Sequence, residues 1–217
     1  TQSDGIRIFD NTGRALSTSA NQNFGGANPG VTIANLDNDG FAELIIGRDV
    51  YTLEHNGSGV LQVLDHFEGG GDVGTNGQGP VSCVANIAGD SYQEIVAGTT
   101  AYRFPKKPAT ATKRADCSGS ETDPDEVAWC AGQLPTLWDA PGSNGFCAIA
   151  DVWGASGLAS EPPSPAFPLD GKPEVVLIRS GNVDVIDGAT GTRIISQSFG
   201  SGSAGGPPNI DDFDGDG

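Results

Sequence analysis

The stretch VTIANLDNDGFAELIIGRDVYTL, residues 31–53, decides the fold of this chain. Two short apolar runs flank an acidic loop at residues 35–40, and a third apolar run follows at residues 50–53. Short runs rich in Val, Ile, Leu and Tyr, separated by turn residues, predict β-strands. We call these three strands A, B and C, with the acidic loop between A and B.

The order of strand, acidic loop and strand recurs along the chain. The further copies are VSCVANIAGDSYQEIVAGTTAYRF (81–104), FCAIADVW (146–153) continued by DGKPEVVLIRSGNVDVID (170–187), and PPNIDDFDGDG (207–217). The first loop positions are 51, 65 and 61 residues apart, at Asn35, Asn86, Asp151 and Asp212. A period of this size built from short strands indicates propeller blades or another repeat array.

A fourth strand, D, is predicted after a turn that follows strand C. The segments GIRIFDNTGRAL (5–16) and NVDVIDGATGTRI (182–194) match, and both alternate apolar with polar residues, which is typical of half-buried strands. Asn56-Gly57 is a strong hairpin signal between C and D of the first full unit. We therefore expect an all-β propeller of four-stranded blades, with about three full blades and partial blades at both ends.

Two insertions interrupt the repeat, at residues 105–135 and 154–169, within what we expect to be a single partial propeller over residues 1–217. Both are rich in Pro, Ser and Ala, which predicts surface loops. The first carries four of the 11 basic residues, namely Lys106, Lys107, Lys113 and Arg114. We interpret it as a solvated loop, with a binding patch as the alternative.

The four cysteines, Cys83, Cys117, Cys130 and Cys147, are even in number and lack CxxC spacing. This pattern favours two disulfides formed in an oxidising compartment over a zinc site. Cys117 and Cys130 flank a polar stretch and would staple it, which leaves the other two cysteines, both on predicted strands. Three connectivities are possible, and four buried free thiols remain the alternative.

The charge of the chain argues against two classes of partner. It has 28 acidic and 11 basic residues among 217, for a formal net charge of −17. Nucleic acids and anionic membrane surfaces are both bound by clustered Lys and Arg, which are scarce here. No apolar run approaches the roughly 18 residues that a membrane span needs, so we expect no membrane insertion.

The acidic loops have the composition of calcium sites. Calcium takes 6–8 oxygen ligands from carboxylates, amide side chains, carbonyls and water. In the first loop, positions 1, 3, 5 and 9 are Asn35, Asp37, Asp39 and Glu43, with Gly40 at position 6 and the carbonyl of Phe41 at position 7. Since three carboxylates in one turn repel each other without a cation, we predict Ca²⁺ here.

The other loops keep part of this pattern. The second has Asn86, Asp90 and Glu94 at positions 1, 5 and 9 but Ala88 at position 3, so a turn without metal is the alternative. In the third, we expect Asp151 to meet Asp170 and Glu174 if the insertion bulges out. The fourth begins with Asp212, Asp214 and Asp216, and the given sequence stops before positions 7 and 9.

These units resemble the FG-GAP/VCBS repeats of integrin-α-like β-propellers, which pair a D-x-D-x-D-G-x-x-[DE] loop with apolar strands ending in Gly. The resemblance is specific in the first and fourth copies and diluted in the second and third. It implies radial blades, commonly seven, with calcium between strands A and B. It also implies a secreted or cell-surface protein used in adhesion and assembly, and we expect this chain to be a piece of a longer one.

Two functions follow as hypotheses. The first is an extracellular, calcium-stabilised propeller for protein–protein contact, adhesion or assembly. The second is a propeller that binds or cleaves polysaccharide, with sugar platforms drawn from Trp129, Trp138 and Trp153; of these we expect Trp138 in the core and Trp153 on the surface. Catalytic motifs are absent from the sequence, and His55 and His66 are interpreted as a surface pair, so no enzyme activity is expected.

Overall fold

The protein is described by a computed structural model that covers residues 6–16, 28–154, 169–200 and 205–211. This part of the chain is all-β apart from one short α-helix and one turn of 3-10 helix. In chain order the strands are β1 (Thr32–Ala34), β2 (Glu43–Ile46), β3 (Asp49–His55), β4 (Leu61–Gly69), β5 (Ser82–Ala85), β6 (Glu94–Ala97), β7 (Thr100–Arg103), β8 (Gln133–Leu134), β9 (Thr136–Asp139), β10 (Phe146–Ala150), β11 (Glu174–Arg179), β12 (Asn182–Asp187) and β13 (Arg193–Ser198).

The strands form three sheets that repeat one plan. Sheet 1 has the order β1-β2-β3-β4, sheet 2 the order β5-β6-β7-β9, and sheet 3 the order β10-β11-β12-β13, and the strands within each of these series are antiparallel. The sheets coincide with the three full sequence copies, and the acidic loop joins the first strand to the second in each. The predicted four-stranded antiparallel units are therefore confirmed. None of the sheets closes on itself.

The turns that connect the strands follow from the sequence. Strands β2 and β3 are joined by a two-residue turn that starts at Gly47, and β6 and β7 by one that starts at Gly98. Both glycines have positive φ, 61° and 57°, a conformation that costs glycine little and other residues more. The predicted hairpin signal Asn56-Gly57 lies between β3 and β4, as expected.

Apolar side chains hold consecutive sheets together. One cluster joins sheet 1 to sheet 2 and includes Ile45, Val50 and Phe67 from the first and Ile95 and Tyr102 from the second. The next cluster joins sheet 2 to sheet 3 in the same way, through residues including Val96, Trp138, Val175 and Leu177. The first strand of sheet 1, β1, lies beside the first strand of sheet 2, β5, which in turn lies beside the first strand of sheet 3, β10. The first strands of the three sheets are thus neighbours.

The outer face of sheet 1 is covered by the N-terminal segment. Ile6 and Ile8 pack on Leu44, Ile46 and Tyr51 of this face. A bridge between Phe9 and Ala15 closes a small hairpin there, consistent with the predicted match of residues 5–16 to residues 182–194. At the β1 end the cover stops, and Val31 and Ile33 remain 54 % and 66 % exposed.

The first insertion is more ordered than a solvated loop, which corrects the expectation from its composition. It contains a 3-10 turn (Arg114–Asp116), the helix α1 (Pro124–Ala131) and β8, which pairs in parallel with β4 of sheet 1. Its Ala111, Trp129 and Leu134 are buried in the cluster between sheets 1 and 2. The insertion leaves sheet 2 between β7 and β9 and therefore straps sheet 2 to sheet 1.

Helix α1 carries signals that composition alone hid. Asp123 is its N-cap and accepts from the Asp125 N–H at 2.9 Å, Pro124 takes the first turn, and Gly132 ends the helix in a left-handed conformation. An Asp-Pro start and a Gly stop eight residues apart are sequence signs of a helix. Trp129 is the one residue of this helix whose side chain is buried, at 3 % exposure.

Both disulfides have the pairing that the stapled-loop interpretation favoured. Cys117 is bonded to Cys130 within the first insertion, and Cys83 on β5 is bonded to Cys147 on β10. Two disulfides are typical of proteins that fold in an oxidising compartment. Of the second insertion, residues 155–168 lie outside the described part, and a bridge between Gly154 and Leu169 closes its base. No helix in the described ranges is long and apolar enough to cross a membrane.

Candidate metal centre

Loop 1, the acidic loop between β1 and β2, brings three carboxylates together. Asp37, Asp39 and Glu43 each offer an oxygen, and these oxygens lie within 4.8 Å of one another. The sequence predicted this grouping from positions 3, 5 and 9. The other candidate group in the described part, Cys117, Glu121 and Cys130, is no metal site because its two sulfurs are bonded to each other.

Hydrogen bonds inside loop 1 leave oxygen atoms free for a cation. Glu43 Oε2 accepts from the Leu36 N–H at 2.8 Å, Asp37 Oδ1 from the Asp39 N–H at 3.1 Å, and Asp39 Oδ1 from the Phe41 N–H at 2.8 Å. Each carboxylate thereby uses one oxygen to shape the loop and keeps the other. The Oδ1 atom of Asn35 is buried and has no hydrogen-bond donor. An unpaired buried acceptor is costly, and a cation would satisfy it.

Burial makes the anionic state of loop 1 unfavourable without a counter-ion. Burial raises the pKa of Glu43 to about 7, helped by the charges of Asp37 and Asp39 and opposed by the Leu36 N–H. Burial also raises the pKa of Asp37, as does the neighbouring Asp39 carboxylate, while the Lys107 ammonium lowers it. A divalent ion would reverse this balance by stabilising all three charges.

Loop 2, between β5 and β6, is a poorer version of the same site. Asn86 Oδ1 accepts from the Gly89 N–H at 2.7 Å and its Nδ2 donates to the Asp90 carbonyl, so position 1 is already satisfied. Position 3 is Ala88, which brings no oxygen in its side chain. Glu94 is 1 % exposed, and its Oε1 is buried without a donor. Burial raises the pKa of Glu94, against the effect of two backbone N–H groups.

Loop 3, between β10 and β11, closes across the second insertion, but Asp151, Asp170 and Glu174 do not gather as expected, because among the described residues only loop 1 brings three carboxylate oxygens within 4.8 Å of one another. Asp151 Oδ2 accepts from the Gly171 N–H at 2.7 Å, which brings positions 1 and 6 together despite a sequence separation of 20 residues. Glu174 Oε2 accepts from the Val152 and Trp153 N–H groups, both at 2.9 Å. Asp170 is close enough that its charge, with that of Asp151, raises the pKa of Glu174, although burial is the larger cause. Asp151 Oδ1 is buried without a donor.

Position 9 has a role that the sequence did not reveal. Its glutamate begins the second strand in every sheet, is at most 4 % exposed, and accepts from the backbone N–H of position 2 of its own loop and, in loops 2 and 3, also from that of position 3. The one sequence sign of this role is a glutamate at the start of a strand that is otherwise mostly apolar. Asp212, Asp214 and Asp216 of the fourth loop lie outside the described residues.

The two histidines and the tryptophans were the other candidate functional residues, and the structure agrees with the expectation for only some of them. His66 lies within 2.7 Å of Asp49 through Nε2 and stacks on Tyr51, while His55 faces Leu61 across the strand pair, so the two histidines are not cross-strand partners. Trp138 is in the core as expected, and its Nε1 donates to the Gly188 carbonyl at 2.7 Å.

Trp153 is buried at 8 % exposure, which contradicts its assignment as a surface sugar platform. Trp129 is buried as well. The aromatic residues that the loops do expose are Phe41 and Tyr92, 72 % and 47 % exposed, at position 7 of loops 1 and 2. The loop pattern predicts only a backbone carbonyl ligand at position 7, and it gives no indication that the side chains there are exposed.

A scan of known protein families, a search of curated proteins and a search of solved structures found no match to this chain.

Proposed function

We propose that this chain is part of an extracellular, calcium-stabilised β-propeller of the FG-GAP/VCBS type, and that it serves protein–protein contact or assembly. One observation carries the calcium proposal. Each of the three described loops contains one buried acceptor oxygen without a donor: Asn35 Oδ1, Glu94 Oε1 and Asp151 Oδ1. Native proteins rarely leave such atoms unpaired, and each of the three loops contains one, at position 1 in loops 1 and 3 and at position 9 in loop 2.

The donor set fits a hard divalent cation. In loop 1 the ion would be held by Asn35, Asp37, Asp39, Glu43 and the Phe41 carbonyl, which are all oxygen donors, as calcium requires. When bound, the ion supplies positive charge that offsets the repulsion among the carboxylates. Because these residues span the end of β1 to the start of β2, their cohesion fixes the first hairpin of the sheet.

The propeller proposal is supported by how the sheets stack. Consecutive sheets pack face to face through apolar clusters, and their first strands lie side by side. This is the arrangement expected when four-stranded blades surround a common axis.

The contact proposal is supported by the surface around loops 1 and 2. The Asn38 amide donates to the Ser91 carbonyl, so the two loops touch, and each exposes an aromatic side chain, Phe41 or Tyr92. Aromatic residues are enriched at protein interfaces and supply much of their binding energy. The paired disulfides support an oxidising, extracellular location.

Thermal melts with calcium and with EDTA test the cation proposal. Calcium should raise the melting temperature, because a ligand that binds only the native state stabilises it. Asp37→Asn should remove most of this rise, while the matched change Asp90→Asn in loop 2 should leave most of it in place. A melting temperature that is the same in calcium and EDTA would refute the proposal.

Sedimentation velocity tests self-association as the first candidate for protein contact. The native chain in calcium should form a species larger than a monomer, and the double variant Phe41→Ser/Tyr92→Ser should return it to monomer. Val127→Ser, at an apolar residue on α1 that is as exposed as Tyr92, is the matched control and should change nothing. A native chain that stays monomeric at all accessible concentrations would exclude self-assembly.

A further inference from the structure

A cavity of about 80 Å³ lies between loop 1 and the first insertion. Loop 1 forms one wall with Asp37, Asp39 and Glu43, and strands β3 and β4 contribute the floor. The opposite wall belongs to the insertion and includes Lys107 and Trp129. The candidate cation site is therefore open on one side toward a space that a different part of the chain encloses.

The insertion wall is fixed in place before any ligand arrives. Trp129 and Leu134 are buried in the core between sheets 1 and 2, β8 is hydrogen-bonded to β4, and the Cys117–Cys130 disulfide closes the segment. The lining combines apolar side chains with carboxylates, hydroxyls and one ammonium group, and a preformed concavity with converging polar groups is where a small ligand can bind. Phe104 and Leu53 provide the apolar part of this lining.

Lys107 is the charged residue of the insertion that lines this cavity, beside the polar Thr112. Its neighbour Lys106 forms ion pairs with Asp123 and Glu126 at 3.7 and 3.5 Å, and the Arg114 side chain donates to the carbonyls of His66 and Cys130. Lys107 has no carboxylate within 4.0 Å among the described residues. Its charge nevertheless acts on Asp37 across the cavity.

Charge and size limit the class of ligand that fits. The cavity is lined by four carboxylates, those of loop 1 and Asp65, against one ammonium group; a divalent ion in loop 1 would leave one net negative charge. An anionic ligand would therefore be repelled. At about 80 Å³ the space admits the hydroxyl-bearing edge of a ligand and not a whole sugar ring.

We propose that this cavity binds a neutral polyhydroxyl ligand, such as the diol edge of a sugar ring. Calcium takes 6–8 oxygens, more than the four side chains and one carbonyl of loop 1 provide, and adjacent hydroxyls entering from the cavity complete the set. Lys107 donates to a ligand oxygen, and Phe104 with Leu53 contacts the carbon atoms that carry the hydroxyls. The proposal rests on the proposed cation in loop 1. It places glycan binding at this cavity and not at the tryptophans, which are buried.

Saturation-transfer NMR with methyl glycosides tests the site. The probes are methyl α-D-mannopyranoside and methyl β-D-galactopyranoside, which differ in the arrangement of their hydroxyls. At least one should receive saturation from the protein in calcium and lose it in EDTA. If neither does while calcium still raises the melting temperature, the polyhydroxyl site is overturned and the cation proposal stands; if calcium has no effect on melting either, both are overturned.

A matched pair of lysine variants tests the role of the insertion. Lys107→Ala should weaken glycoside binding by about tenfold, because a charge-assisted hydrogen bond is lost. The calcium-induced rise in melting temperature should persist and increase slightly, because a positive charge that acts on Asp37 is removed. Lys106→Ala should leave both unchanged. Equal glycoside affinities in the two variants would place the ligand elsewhere and overturn the proposal.

Discussion

The glutamate at position 9 of each loop, Glu43, Glu94 or Glu174, is the residue on which the loops converge. One carboxylate oxygen is bonded to the loop's own backbone N–H groups, while burial raises the pKa of all three side chains. Burial opposes ionisation of these carboxyl groups, whereas a bound cation requires it, so a proton and a cation compete for them. The balance between proton and cation therefore controls the stability of the loops.

The pKa of Glu43 leads to a prediction about pH. In EDTA the folded protein keeps a proton on Glu43 up to about pH 7, whereas the unfolded chain loses it near the ordinary value of 4.5. Stability should thus fall as pH rises from 4.5 to 7, by up to about 3 kcal/mol from this residue. Glu43→Gln should flatten this decline without abolishing it, since Glu94 and Glu174 are shifted in the same direction. Urea unfolding at several pH values measures this, and an unchanged slope in the variant would contradict it.

At the scale of elements, the turn between the second and third strands is coupled to the link between sheets. Asp72, in the link from β4 to β5, accepts from the N–H groups of Thr99 and Asn144 at 3.1 and 2.5 Å and from Val73 at 2.7 Å. It thus joins the link, the turn after β6 and the segment before β10. Gly98 lies directly beside the Asp72 carboxylate and has positive φ.

Gly98→Ala should therefore destabilise the protein by roughly 2–4 kcal/mol. The new methyl group would meet the Asp72 carboxylate and would also force alanine into a left-handed conformation. Gly57→Ala is the matched control, because Gly57 also has positive φ but no atom within 4 Å of the added group, so it should cost only about 1 kcal/mol. Urea denaturation compares them, and equal losses would show that the Asp72 contact contributes nothing.

At the scale of the whole molecule, covalent and packed links connect neighbouring sheets. The Cys83–Cys147 disulfide joins the first strands of sheets 2 and 3 across 64 residues, whereas Cys117–Cys130 closes 13 residues inside the strap between sheets 1 and 2. The two bonds therefore differ in what they restrain. The first restricts the relative placement of two sheets in the unfolded chain, and the second restricts one local segment.

Removing each disulfide should separate these two effects. In the loop-entropy picture, Cys83→Ala/Cys147→Ala should cost about 4 kcal/mol and Cys117→Ala/Cys130→Ala about 3 kcal/mol. The second pair should additionally weaken the proposed glycoside binding, because the strap forms one wall of the cavity. Urea unfolding under non-reducing conditions gives the stabilities. A larger loss from the shorter loop would contradict the entropic account for this protein.

The sequence by itself determined the repeating strands, the loop positions that gather Asp37, Asp39 and Glu43, and two disulfides among four cysteines. These features depend on local spacing: alternation sets strands, a Gly at position 6 permits the loop, and the Asn-Gly signal sets the hairpin. Helix α1 could also have been predicted from the sequence, since its Asp-Pro start and its terminal Gly are local signals. Composition outweighed them and led to the interpretation as a loop.

Only the tertiary structure decided which distant segments of the chain contact each other. It buried Trp153, sent β8 across to sheet 1, set Lys107 opposite loop 1 and left buried acceptors at Asn35 and Asp151 without donors. Each of these depends on segments far apart in the chain meeting in space, where the cost of an unpaired buried oxygen or charge is fixed by all its neighbours together. No local pattern of residues carries that information.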